Sequence, residues 1–388
     1  MITKVRFTNF ASIKDSGVIV LDKINVLIGK NASGKSNFIN ALTLTRDLSR
    51  GEDINDVFPD IILSKRNLFY RGQKKNIEIF LEFIGFDKKL YRFRYEIRLQ
   101  EKKDEIDSLV IPSESLEAFS DGNWSFLYKR NGNDLTFAGQ KEIPLKINNK
   151  KLLFSYFDDK TLHDAAKRLK SIFTIKNTDL VPDRGPYVNI SELNLQKLNH
   201  LAVKLKKNNE ADFRDVQEAV KKIIPYFESV RVSDLRKILN YDVNEIENIE
   251  EQYLVYWRQK FSDLAFDSKT LSSGDQRTIY ILFAMFYLTK GSTISIEEIE
   301  NGIHIGRVSS FLDQIRTSAN NRDLQIIIST HSREILNHIF PKEVIFCKLF
   351  EEDGTTYQRL VDNKLYRIVE EDLGESSSAR DYIDSGYF

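Results

Sequence analysis

The chain has 388 residues, 41% hydrophobic and 29% charged, enough for two domains or for one large domain with an insertion. Its 57 Lys and Arg balance its 57 Asp and Glu, which excludes a global basic field, so any contact with nucleic acid must come from a local patch. The one cysteine, Cys347, excludes an internal disulfide and a cysteine metal cluster and fits a reducing cytoplasm.

The N-terminus, Met1–Arg6, lacks the apolar core and small-residue cleavage site of a signal peptide. Residues 2–10 alternate as a short strand, Val18–Leu21 reads as a second, and Ile24–Ile28 as a buried third. Then comes Gly29-Lys30-Asn31-Ala32-Ser33-Gly34-Lys35-Ser36, which meets every specified position of the P-loop pattern. It lies between a strand and the helical periodicity of Phe38, Ile39, Ala41 and Leu42, the context that motif requires. Glycines there let backbone N–H groups curl round phosphates, and the helix N-terminus adds positive potential. Lys35 is expected on the β- and γ-phosphates and Ser36 on Mg²⁺; Asn37 is counted with the cradle.

Strand-like segments continue to about residue 156, among them Ile77–Ile84 and Leu90–Leu99, split by turns such as Asp121-Gly122-Asn123. From about 160 to 240 the pattern is helical, with Leu193, Leu198, Leu201 and Leu205 on one face and Phe213, Val216 and Val220 on another. This block carries Lys204, Lys206, Lys207, Lys221, Lys222, Arg231, Arg236 and Lys237, either a DNA-contacting patch or, the preferred reading, a solvated face. From about 252 strands and helices alternate, as in a parallel sheet. The longest apolar run, Ile279–Leu288, is too short to span a bilayer and suits a buried helix.

Three further segments carry chemistry. Leu271-Ser272-Ser273-Gly274-Asp275-Gln276 opens the helix of that apolar run; its hydroxyl and N–H groups suit a phosphate, or a plain N-cap. Thr293–Ile296 is a strand ending in Glu297-Glu298, either a metal-binding and water-activating pair or a solvated acidic loop. Ile326–Ser329 is a buried strand running into Thr330-His331-Ser332, where His331 is a phosphate sensor or a structural strand-end histidine.

In this order the segments resemble those of ABC-type AAA ATPases of the RecF/SMC/OLD/RloA group, of the RloA-like kind without a TOPRIM nuclease. Leu271–Gln276 is similar to the LSGGQ signature, with Ser273 for the first glycine; Glu297-Glu298 to the Walker B pair, with Glu297 for the usual Asp; His331 to the switch histidine; Asn301–His304 to the D-loop. Lys4–Lys14, Arg380–Tyr382 and Gly386–Phe388 resemble that group's ends, although Ala11 stands where many members carry a basic residue. Pro182–Pro186 and Gln73 are rival candidates for its Q-loop.

The resemblance implies an α/β fold: an ABC-type ATPase head (P-loop NTPase) with an antiparallel β subdomain and a short helical insertion. The expected division is 1–160, 161–250 and 251–388. It implies ATP and Mg²⁺ as ligands, with Ser36 and Glu297 on the metal, Glu298 as general base and His331 on the γ-phosphate. Ser272, Ser273 and Gly274 would serve a second subunit's nucleotide, in a homodimer. A separate effector protein, a nuclease or toxin of anti-phage defence, is the expected partner. A RecF-like DNA clamp and a slowly hydrolysing nucleotide-gated scaffold are the alternatives, and a membrane partner is not expected.

Overall fold

The computed structural model describes every residue except 58–64, 102–106, 139–142, 145–147, 154–159, 177–189, 235–252, 263, 267, 364–377 and 381–388. Pro182–Pro186, Arg236, Lys237, Asp381–Tyr382 and Gly386–Phe388 therefore lie outside the described residues.

The chain starts with β1 (Ile2–Phe10), β2 (Ile13–Asp15), β3 (Ile19–Val20), β4 (Ile24–Ile28) and α1 (Lys35–Ser49). An antiparallel run follows: β5 (Ile77–Ile84), β6 (Leu90–Gln100), β7 (Ser108–Val110), β8 (Ser113–Ser120), β9 (Asn123–Asn131), β10 (Asp134–Phe137) and β11 (Ile143–Pro144). Then come α2 (Lys160–Lys170), β12 (Ile172–Ile175), α3 (Ile190–Asn208) and α4 (Glu210–Ile223). A small antiparallel sheet joins β13 (Phe227–Asp234), β14 (Tyr253–Gln259) and β15 (Ala265–Phe266). The chain continues through α5 (Ser273–Tyr287), β16 (Thr293–Ile296), α6 (Val308–Asn321), β17 (Gln325–Thr330), α7 (Arg333–Leu336), β18 (Val344–Phe350) and β19 (Gly354–Arg359).

The large sheet runs from the antiparallel strands β11 to β5, through β1, β2 and β19, into β18-β4-β17-β16-β12. These last strands are parallel, with Ile28 beside Thr330 and Ile328 beside Ile296. Their carboxyl ends therefore lie along one edge, where open α/β sheets place ligands.

Side chains alternate across a strand, and the two faces bury different helices. Leu27, Ile327 and Ile345 share a core with Phe38, Ile39 and Leu42 of α1. Val26, Ile28, Ile296 and Ile328 share the other core with Ile279, Leu282 and Phe283 of α5, and with α3, α4 and α6. Each such side chain, fully buried, contributes about 1.5–3 kcal/mol. Of the run Ile279–Leu288, Ile279 and Ile281–Met285 are buried in α5, whereas Tyr287 is exposed and Leu288 follows the helix. Among the described residues no helix is long and apolar enough to cross a membrane.

The segment read as helical from 160 to 240 contains two strands, β12 and also β13, which pairs with β14. Ile172–Ile175 is short and apolar, and it adds to the parallel sheet beside β16, while the Thr174 hydroxyl lies 2.8 Å from that of Thr43 on α1. Partners distant in sequence make this segment a strand, which local helical periodicity does not report. Near the N-terminus, only Ile19–Val20 of the expected second strand forms one, and Ile13–Asp15 pairs with β1 ahead of it.

Candidate functional site

The glycine-rich loop links β4 to α1 at the carboxyl edge of the sheet. Gly34 precedes α1 with φ 94°, contributes no side-chain cap, and leaves the first turn free of acid. The first N–H groups and the positive end of the helix dipole are thus open to an anion. Two glycines are required by packing. A Cβ on Gly34 would lie 2.5 Å from Thr355 of β19, and one on Gly29 would lie 2.3 Å from the Cys347 carbonyl of β18. The Tyr357 hydroxyl also donates to the Gly34 carbonyl at 2.8 Å.

Within this loop Lys35 is buried and its Nζ donates to the carbonyls of Gly29 at 2.7 Å and Lys30 at 2.9 Å. Burial lowers its pKa, opposed by the charges of Glu298 and Glu300 among others. Lys30, Asn31 and Ala32 are exposed, Ala32 with φ 62°, while Ser33 is buried with its N–H on the Lys30 carbonyl at 3.1 Å. Ser36 is exposed in the first turn of α1. Asn37 turns toward the β1–β2 turn, donating to Ser12 Oγ at 2.7 Å, and Ser12 lies 2.7 Å from Thr355 Oγ1.

The acidic turn follows β16, two strands from β4 along the same edge. Glu297 is buried, and its N–H bonds the Ile175 carbonyl at 2.9 Å. Glu298 has φ 45°, a left-handed conformation that costs roughly 1–3 kcal/mol and marks an over-determined position. Its N–H donates to Ser329 Oγ at 3.0 Å, and Asn301 Nδ2 holds its carboxylate at 2.7 Å. His331 follows β17: its backbone N–H donates to Glu300 Oε1 at 2.8 Å, and its Nδ1 lies 3.0 Å from the same oxygen. Gln73, the described Q-loop candidate, is exposed at the end of a short turn.

The third segment caps α5. Ser272 Oγ accepts the Asp275 N–H at 3.2 Å and donates to the Asp275 carboxylate at 2.7 Å. Arg307 pairs with that carboxylate at 2.5 Å, and the Tyr226 hydroxyl donates to it as well. Gly274 meets Gly302 backbone to backbone: a Cβ on Gly274 would sit 1.7 Å from the Gly302 carbonyl. This close approach joins the expected signature segment to the expected D-loop. Arg277, buried one turn along α5, donates to the Glu297 carbonyl at 2.5 Å and to the Glu298 carbonyl at 3.3 Å.

The cradle, the acidic turn and His331 thus gather at one edge, with Ser272–Gly274 at the same end but on the opposite face of the sheet. Neither Arg277 nor Glu300 was singled out from the sequence. A third carboxylate two residues beyond the acidic pair was the available signal for Glu300. Of the basic patch, Lys206 pairs with Glu210, Lys221 with Glu218 at 2.6 Å, and Lys207 lies over the Tyr253 ring at 4.2 Å.

Comparisons extend these observations. The family described as "AAA domain, putative AbiEii toxin, Type IV TA system" matches residues 24–337. A protein of Helicobacter pylori (strain ATCC 700392 / 26695) named ATP/GTP phosphatase is 23% identical over 353 residues, covering 87% of this chain and 86% of its own. Among solved structures, an SMC head bound to the C-winged helix domain of ScpA superposes with TM-score 0.53 at 17% identity, covering 92% of this chain and 96% of its own. The SMC head domain of Thermotoga maritima superposes with TM-score 0.47 at 10% identity, covering 92% and 98%. The expected α/β fold is borne out: it resembles an SMC-type ATPase head and carries a small antiparallel sheet.

Proposed function

The chain belongs to the AAA-domain family that matches residues 24–337, and from that premise we propose that two copies close head to head and hydrolyse ATP at sites shared between them. The observation that carries this reading is the placement of two helix N-termini at one end of the sheet but on opposite faces, α1 with the cradle and α5 with Ser272. The sheet lies between these termini, so a second copy facing the first would supply the α5 terminus that a cradle-bound nucleotide lacks in its own chain.

The roles follow from chemistry. The N–H groups of the cradle and Lys35 hold the phosphates. Ser36 and Glu297 are oxygen donors suited to Mg²⁺, which when bound offsets the phosphate charge. Glu298, oriented by Asn301, takes the proton of the attacking water, and His331 contacts the terminal phosphate. Ser272, Ser273 and Gly274 give hydroxyl and N–H groups to the partner's nucleotide. The relative named ATP/GTP phosphatase supports turnover and makes GTP a second substrate to assay. The family's description ties its AAA domain to a putative toxin of a type IV TA system, and on our reading the dimer switches a separate effector protein, a nuclease or toxin of anti-phage defence.

Phosphate release with ATP, together with light scattering of wild type and Glu298→Gln, tests the reading. Wild type should turn over and dissociate, while the variant stays dimeric with ATP. Equal, persistent dimers without phosphate release would instead make the chain a nucleotide-gated scaffold.

A further inference from the structure

We propose that Glu300 is the positioning residue for His331, fixing its ring so that Nε2 is the nitrogen presented to the terminal phosphate. The inference rests on the ATP-hydrolysing reading and adds a residue that the sequence motifs leave without a role.

Glu300 and His331 lie far apart in the chain. The parallel register that sets Ile296 beside Ile328 brings the turn after β16 against the end of β17. One carboxylate oxygen, Glu300 Oε1, then receives the His331 backbone N–H at 2.8 Å and lies 3.0 Å from Nδ1 of the ring. Backbone and side chain of the histidine are tied to the same atom, so the ring has little freedom to turn. An ionised carboxylate only accepts hydrogen bonds, so Nδ1 must carry a proton. The bond made by one imidazole nitrogen decides the role of the other.

Exposure agrees with this assignment. The Glu300 side chain is 13% exposed and that of His331 44%, so the acceptor is enclosed while the ring is open to a ligand. Glu300 is also among the charges acting on the Lys35 ammonium, which places it on the side of the phosphate cradle. Its other oxygen, Oε2, is buried and makes no hydrogen bond among the described residues. Among the described residues, the carboxylate thus spends its hydrogen bonding on His331. For Nε2 to donate to a phosphate oxygen the ring must carry both protons, and the carboxylate at Nδ1 supplies the counter-charge for that form.

The test uses the full chain. Imidazole nitrogen and carbon NMR shifts of nucleotide-free protein at mildly alkaline pH report the His331 tautomer, with His331→Gln identifying the signal. Wild type and Glu300→Gln should show the proton on Nδ1, since the glutamine carbonyl still accepts it. Glu300→Ala should move the proton to Nε2. With ATP and Mg²⁺, Glu300→Ala should lower kcat about tenfold with KM within about twofold, and Glu300→Gln should recover part of that loss. If Glu300→Ala does not fold, the Glu300→Gln and wild-type spectra still decide the tautomer. A wild-type or Glu300→Gln spectrum with the proton on Nε2, a Glu300→Ala spectrum like that of wild type, or an unchanged kcat in Glu300→Ala overturns the assignment. The spectra need no turnover, so a chain that hydrolyses no ATP refutes the proposed function without deciding the tautomer.

Discussion

Two helices begin at the carboxyl end of the central sheet, and their first turns are built differently. Helix α1 starts behind Gly34, with no side-chain cap and no acid in its first turn, so its N–H groups and dipole face outward. Helix α5 starts behind Ser272, whose hydroxyl already accepts an N–H, and carries Asp275 in its first turn, paired with Arg307. An unsatisfied terminus takes an anion directly. A capped and charge-balanced one must first exchange a cap that stabilises it by about 1 kcal/mol. On this account α1 grips nucleotide within one chain, and α5 answers only to a phosphate that a second chain has already fixed.

Four substitutions sharpen or break that contrast. The largest effect is expected from Glu298→Gln, which removes the proposed base beside the α1 site: ATP turnover should fall by about 10²–10⁴ in a phosphate-release assay, while ATP binding persists. Lys35→Ala should weaken ATP binding by roughly 10²–10³ in a calorimetric titration, since a buried cation and its phosphate partner are separated; normal affinity would mean that the open terminus is not the nucleotide grip. Ser272→Arg should leave ATP affinity within about twofold yet abolish the ATP-dependent dimer in light scattering, because its long cation fills the place of a hydroxyl; an intact dimer would make α5 an ordinary capped helix. Gly274→Ala is expected to cost about 1–3 kcal/mol in urea unfolding, because its Cβ meets the Gly302 carbonyl and the two backbones must part; unchanged stability would show that this contact yields cheaply.

Much of this contrast was legible in the sequence, for a physical reason. Gly29–Ser36, Leu271–Gln276 and Glu297-Glu298 are each contiguous, and each sits where a strand ends or a helix begins, so spacing alone announces them. The contacts that tune them were not legible. Arg277 on the Glu297 carbonyl, Glu300 on His331 and Gly274 against Gly302 join segments far apart in the chain. Their closeness depends on the register of β16 against β17 and on where α5 crosses the sheet. Thr355 and Cys347 carry no motif, yet their atoms wall the space that keeps positions 34 and 29 glycine. The strand Ile172–Ile175 was hidden for the same reason, since only its pairing with β16 makes it a strand.

The most direct test mixes two chains that are each inactive, Lys35→Ala with Ser272→Arg. If the sites are shared, a mixed pair rebuilds one of them, from the cradle of the Ser272→Arg chain and the α5 terminus of the Lys35→Ala chain. Neither variant is expected to pair with itself, so an equal mixture should recover ATP hydrolysis, to at most about half of the wild-type rate, with one working site in each mixed dimer. A mixture as inactive as its two components would contradict the account.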